Sequence, residues 1–196
     1  MEKKRIFAAI DISSEARERI AAYTRSLQQE FENVPVKWEK PDKLHITIKF
    51  VGSIDESELA AFTDTVAKAA AKITPFSIII SGTGAFVKRR ARSNVLWLGL
   101  NSSPDKTIES LVAAIDREAS EPSERRFRPH LTIARLKDAK KARGLIERHL
   151  QATFEPVTFH VSEIVIYEST LLPTGSIYNA LSKHNFDSAQ ESRLQS

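Results

Sequence analysis

The chain of 196 residues contains no cysteine. This excludes a disulfide scaffold, a cysteine-based zinc site and a thiol nucleophile, and it is compatible with a reducing cytoplasm. Long apolar runs are missing too. No stretch approaches the roughly 18 residues of a membrane span, and the apolar start at Ile6 is broken by Asp11, too early for a secretory leader. A soluble, cytoplasmic protein with no membrane partner is expected. No segment rich in Gly, Ser or Pro divides the chain, so one two-lobed domain is expected over residues 1–184, with a polar, frayed tail at 185–196. There is no His-Glu-x-x-His pattern for a zinc hydrolase. Gly82-Thr83-Gly84 lacks the third glycine and the Lys-Ser/Thr of a phosphate loop and reads as a turn. Neither a metal nor a cofactor is expected.

Hydrophobic residues make up 41% of the chain, enough for a core, and the formal net charge is +4. A mildly basic balance suits a polyanionic ligand, because contacts of Lys and Arg to phosphates release counterions. Two basic runs stand out. Lys88-Arg89-Arg90-Ala91-Arg92 is as readily a solvated hairpin loop as a cleft mouth, whereas Arg125-Arg126-Phe127-Arg128 abuts His130, which makes Arg128 a candidate substrate contact.

The most informative feature is a repeat. His45-Ile46-Thr47-Ile48 recurs as His130-Leu131-Thr132-Ile133, each within alternating apolar and polar residues, and each after a turn-like segment (Pro41-Asp42-Lys43 and Arg128-Pro129). Strand parity puts Leu44, Ile46, Ile48 and Phe50 toward a core, and His45, Thr47 and Lys49 toward solvent or a cleft. Likewise Leu131 and Ile133 face inward, His130 and Thr132 outward. A single strand histidine is usually a surface or packing residue, and Thr is simply a good strand former. The repetition at identical spacing makes coincidence the weaker account.

Two imidazoles and two hydroxyls on one face suit phosphate-ester chemistry without a metal. Hydrolysis of a phosphodiester needs a base for the attacking water and an acid for the departing oxygen, and histidine titrates near neutral pH. The threonine hydroxyls can donate to non-bridging phosphoryl oxygens. The residues alone leave open which histidine is acid and which is base. Arg135 offers a forked cationic clamp, but strand parity puts it on the core side, so that role requires the strand to end, twist or bulge. Phe50, Trp38 and Phe127 flank the motifs as candidate stacking surfaces for a base, although the parity of Phe50 points equally to the core. His149, His160 and His184 lack a Thr partner and read as surface or packing residues, and Trp97 reads as core.

Hydrophobic periodicity predicts strands at Arg5 to Asp11, the first motif, Phe76 to Phe86, Asn94 to Leu100, the second motif, Val157 to Tyr167 and Ser176 to Leu181. Helices are predicted from Ser13 or Ser14 to about Glu32, Asp55 to Lys72, Pro104 to Ser120 and Asp138 to Leu150. Each half contributes one motif strand. The expected fold is α+β, with two lobes, each an antiparallel sheet covered by outer helices, facing one another across a cleft.

These residues resemble the two-histidine (2H) phosphoesterase superfamily, in particular its LigT-like RNA 2′,3′-cyclic phosphodiesterases, formerly called 2′-5′ RNA ligases. The resemblance runs from about Arg5 to Leu181 and is carried by Arg5 to Asp11, Leu44 to Gly52, the strands to Phe86 and Gly99, Phe127 to Arg135, Tyr167-Glu168-Ser169 and Leu172 to Gly175. It implies lobes related by a pseudo-twofold axis and an enzyme that opens a terminal 2′,3′-cyclic phosphate on RNA to a 2′-phosphate without a metal, with 2′-5′ RNA ligation as a secondary reverse activity. It also implies His45 as proton donor, His130 as proton acceptor, Thr47 and Thr132 as holders of phosphate oxygens, and Arg135 as a phosphate-binding residue. The partner implied is RNA with a cyclic phosphate end, and a monomer is expected. Two rivals are a phosphoesterase of small cyclic nucleotides or ADP-ribose cyclic phosphate, and a non-catalytic RNA-binding module. If one histidine works neutral and the other protonated, the profile of kcat/KM against pH is bell-shaped with two apparent pKa values belonging to the pair; initial rates from pH 4.5 to 9 test this, and a monotonic rise to high pH would remove the acid.

Overall fold

Residues 4–11 form the first strand, β1 (Lys4–Asp11), in which Ile6 to Ile10 are all buried because the strand is covered on both faces. The computed structural model describes residues 3–87, 94–119, 127–172 and 175–187. After β1 come α1 (Ser14–Glu30), β2 (Val36–Trp38), a 3-10 turn (Pro41–Lys43) and β3 (His45–Ile54). They are followed by α2 (Glu56–Ala70), β4 (Phe76–Phe86), β5 (Asn94–Ser103) and α3 (Thr107–Glu118). The remaining elements are β6 (His130–Leu136), α4 (Arg143–Gln151), β7 (Val157–Val161), β8 (Glu163–Leu172) and β9 (Gly175–Asn185).

The strands make two antiparallel sheets, β3-β1-β8-β9 and β2-β6-β5-β4-β7, one carrying each motif, as the two-lobed α+β expectation required. Helix α1 leaves the first sheet and covers the second, where Tyr23 meets Phe154 edge-on. Helix α2 lies against the first sheet. Side chains of both sheets join one continuous hydrophobic core. Each fully buried Ile or Leu stabilises by roughly 1.5–3 kcal/mol, and a one-residue slip of β3 would take Ile46 and Ile48 out of the core, so the motif registers are firmly set. No helix among the described residues is long and apolar enough to cross a membrane.

Local chemistry explains the helix ends. The Ser13 side chain accepts from the Ala16 amide, and Asp55 forms a full capping box with Glu58. The third helix starts at Thr107 rather than Pro104, because Lys106 is left-handed (φ 62°) and Ser102 Oγ accepts from Thr107 N at 2.8 Å. The fourth starts at Arg143 rather than Asp138, whose carboxylate instead accepts from the amides of Lys140 and Lys141 in a turn.

Several expectations are corrected. The stretch from Val157 to Tyr167 is two strands in different sheets, β7 and β8, and Ser162 between them accepts from the Phe186 amide at 2.8 Å. The tail does not begin at Asn185: that residue ends β9, Phe186 is 4% exposed and stacks on Phe76, and the Asp187 amide donates to Ile73 O. The short strand β2 was not anticipated. The basic run Lys88 to Arg92, together with Arg125 and Arg126, lies outside the described residues, as do Pro173 and Thr174.

His149 is a packing residue, on the fully buried face of α4. Its Nε2 meets two backbone carbonyls, Gly84 O at 3.1 Å and Trp97 O at 3.2 Å, so Nε2–H donates and Nδ1 accepts from Tyr23 Oη at 2.7 Å. Burial lowers the pKa of His149 and pushes that of Tyr23 up to about 12. An unfolded histidine protonates near pH 6.5, so on acidification the unfolded state takes up its proton first. Stability is therefore lost as pH falls from about 6.5 toward the lowered folded value and levels off below it. Urea denaturation at pH 8 and pH 5 should show this loss, reduced in His149→Gln; His45 and His184 are lowered as well, so the comparison with the variant isolates the contribution of His149.

Candidate active site

Both motif strands carry a bulge at the same motif position. In β3, Thr47 pairs with Ala9 and Lys49 with Ala8, leaving Ile48 unopposed; in β6, Thr132 pairs with Trp97 and Ala134 with Leu96, leaving Ile133 unopposed. One extra residue reverses the parity of the residues that follow it, in β3 as far as a second bulge at Val51. Arg135 therefore leaves the core side and reaches the cleft, 52% exposed, by the bulge that its role required. Lys49 is corrected in the other direction. It turns away from the cleft to Asp116 on α3, at 2.7 Å, and both side chains are mostly covered. Phe50, equally a core candidate by parity, is 50% exposed and lines the cleft under the Arg5 guanidinium, 4.6 Å from its ring centre. Phe50 and Arg135 stand five residues past their respective histidines, so the two lobes present one aromatic and one cationic side chain from equivalent places.

The imidazoles are fixed alike. His45 Nδ1 lies 2.8 Å from Lys43 O and His130 Nδ1 lies 2.7 Å from Arg128 O, in each case the carbonyl two residues earlier. A carbonyl only accepts, so each Nδ1 carries its hydrogen and each Nε2 is left to exchange a proton with a ligand. Aromatic rings hold the orientation. His45 meets Phe7 (4.9 Å between ring centres) and the edge of Tyr178 (5.1 Å); His130 meets the edge of Phe86 (5.1 Å), with Trp97 behind it (6.4 Å). Trp97 is thus half-buried support for the site, packed against Phe86 and His130 rather than within the core that its apolar run suggests. Burial lowers the pKa of His45, against which the Lys43 carbonyl and the carboxylates of Glu39 and Asp11 act, while Arg135 adds to the lowering.

The cleft has two adjoining arms. The smaller, about 70 Å³, is lined by His45, Thr47, His130, Thr132, Arg135, Glu39, Lys43 and Tyr178. It unites both histidines and both threonines with Arg135. The larger, about 360 Å³, opens beside His45 and includes Trp38, Phe50, Arg5, Lys37, Lys40 and Leu171. Arg128 is exposed and contributes its carbonyl, but its side chain is not among those lining either arm, and Phe127 packs on the core. Glu39, Lys43 and Tyr178 escaped the sequence reading. Glu39 is placed by its amide bond to Ile133 O (2.9 Å), an extension of the three-residue β2 that has no pattern of its own. Lys43 is tied to Ser176 O of β9. Among the described residues, no group of three or more His, Asp or Glu is placed to hold a metal ion.

Gly84 lets the Trp97 indole approach: a Cβ there would sit 2.1 Å from the ring. Gly84→Ala should cost roughly 1–3 kcal/mol by overpacking and slow turnover by shifting the support behind His130. Thermal melts and steady-state rates test this, and a second change, Trp97→Phe, should restore part of the stability.

The 2′-5′ RNA ligase superfamily profile matches residues 14–171. A Thermotoga maritima protein named RNA 2′,3′-cyclic phosphodiesterase is 30% identical over 187 residues, covering 93% of this chain and 96% of its own. One of the same name from Methanothermobacter thermautotrophicus is 32% identical over 181 residues, covering 90% and 95%. The fold superposes on apo E. coli LigT with a TM-score of 0.74 at 23% identity, over 95% of this chain and 99% of that one. With two histidines, two threonines and an arginine gathered in one cleft, the chain belongs to the 2′-5′ RNA ligase superfamily and is an enzyme, a two-histidine phosphoesterase.

Proposed function

We propose that the enzyme hydrolyses a terminal 2′,3′-cyclic phosphate on RNA to a 2′-phosphate by acid and base catalysis from His45 and His130, without a metal. The observation that carries this is the matched pair of Nδ1–H donations to backbone carbonyls, which directs both Nε2 atoms to the arm shared with Thr47, Thr132 and Arg135. The relatives' name, RNA 2′,3′-cyclic phosphodiesterase, supports the substrate.

The cyclic diester enters with phosphorus between the imidazoles. The Thr47 and Thr132 hydroxyls and the Arg135 guanidinium donate to its non-bridging oxygens. His130 takes a proton from water, the water oxygen attacks phosphorus, the bond to the 3′ oxygen breaks, and His45 gives that oxygen its proton. In an in-line displacement the leaving oxygen carries the nucleoside, so the roomy side of the site belongs beside the acid. Among the described residues the larger arm is lined by His45 and not by His130, which supports the donor role of His45. Burial lowers the pKa of His45; an entering phosphate anion favours its charged form. Phe50 and Trp38 offer the nucleobase stacking faces, and Lys37, Lys40 and Lys43 meet the backbone. With the 5′-hydroxyl of a second RNA in place of water, His130 would take its proton, its oxygen would attack phosphorus and the bond to the 3′ oxygen would break as before, joining the two ends through a 2′-5′ linkage.

The purified protein, incubated in EDTA with an oligoribonucleotide ending in a 2′,3′-cyclic phosphate, should yield a 2′-phosphate, and His45→Ala and His130→Ala should each lose at least about 10²-fold in rate, as removal of a positioned proton-transfer group does. On an analogue with sulfur in place of the leaving 3′ oxygen, which departs without a proton, His45→Ala should recover and His130→Ala should not. No product from wild type, or equal product from all three proteins, would end the proposal.

A further inference from the structure

Within a site suited to an anion, one carboxylate is out of keeping. Glu39 is the sole acidic residue among the described residues lining the cleft, and it lines both arms. Its Oε1 accepts from Arg135 Nε at 3.0 Å, and its side chain is only 18% exposed. Its backbone is fixed as well, through the amide bond to Ile133 O at the bulge of β6. The carboxylate is therefore held on the phosphate-binding guanidinium at a defined point of the cleft. The titratable and charged groups that share the cleft with it are Arg135 and His130 on β6, His45 on β3, Tyr178 on β9, Lys43 in the 3-10 turn and its own neighbours Lys37 and Lys40; Asp11 of β1 acts on His45 as well.

A structural ion pair alone would not need to sit in the reaction space. Its effect on ligands follows from charge. The cyclic diester carries one negative charge, whereas the phosphomonoester that leaves has a second ionisation near pH 6 and approaches two. A fixed carboxylate repels each of those charges, so it weakens the doubly charged ester about as the square of its effect on the singly charged one. We infer that Glu39 is a specificity-determining residue that discriminates against dianionic phosphomonoesters, keeping the enzyme on cyclic diesters and speeding release of its own product. This rests on the cyclic phosphodiesterase reading above and deepens it.

The test is Glu39→Gln, which keeps an oxygen acceptor for Arg135 and removes the charge, beside Glu39→Asp, which keeps the charge. Inhibition by a nucleoside 2′-monophosphate at pH 8 should strengthen about tenfold in Glu39→Gln, while KM for the matching 2′,3′-cyclic phosphate falls about threefold, the two being related by charge. Glu39→Asp should stay near wild type in the ratio of the two constants. At pH 5.5, where most of the monoester carries a single charge, the tenfold gain should shrink toward the threefold seen with the diester. Calorimetric titration of the monophosphate at both pH values needs no turnover. An equal change for both ligands, or a pH-independent gain, overturns the inference whether or not the cyclic phosphate is hydrolysed; absence of hydrolysis by wild type overturns the function reading alone.

Discussion

The site depends on the residue left unopposed just after the threonine of each motif strand. Without the bulges at Ile48 and Ile133, strict alternation would bury Phe50 and Arg135 and drive Lys49 into the cleft. With them, the strand holds His and Thr on one face before the bulge and returns a larger side chain to that face after it. The bulged residues are anchored rather than loose: Ile48 is 3% and Ile133 0% exposed. The apolar core thus fixes where the extra residue falls, and the extra residue fixes which side chains meet the substrate.

Preorganisation of the imidazoles follows from equally local causes. A carbonyl two residues back sets each tautomer, and rings from neighbouring strands set each plane. The two lobes nonetheless differ in what surrounds the shared device. His45 sits among Phe7, Tyr178 and a carboxylate, next to the larger arm; His130 sits against Phe86 and Trp97. A shared device with unlike linings suits the proposed reaction, in which water enters on one side and a nucleoside departs on the other.

Much of this was legible in the chain, because the signals are local. The repeated tetrapeptides, the apolar alternation around them, the capping residues Ser13 and Asp55, and the demand for a bulge before Arg135 all follow from short-range pattern. What was not legible depends on partners distant in sequence. The break at Ser162 is invisible in a run of alternating residues, since both halves alternate; only the sheets that receive them differ. Phe186 looks like part of a polar tail until Phe76 is beside it. Lys49 had a partner on α3 that no spacing rule could supply, and Glu39 acquires its meaning from Arg135, across a strand pair three residues long.

The position of β1 has a consequence for synthesis on the ribosome. Its one neighbour, β3, follows it closely, but the other, β8, pairs Ala8 with Ile166 and Phe7 with Tyr167. Closing such a contact spans most of the chain, the slow, non-local kind of pairing. The sheet that carries His45 stays open on one side until β8 and β9 have emerged, and Tyr178, which packs on His45, arrives with β9. A nascent chain therefore gains its second histidine before the sheet around its first is finished, and the cleft is complete only once β9 has joined that sheet.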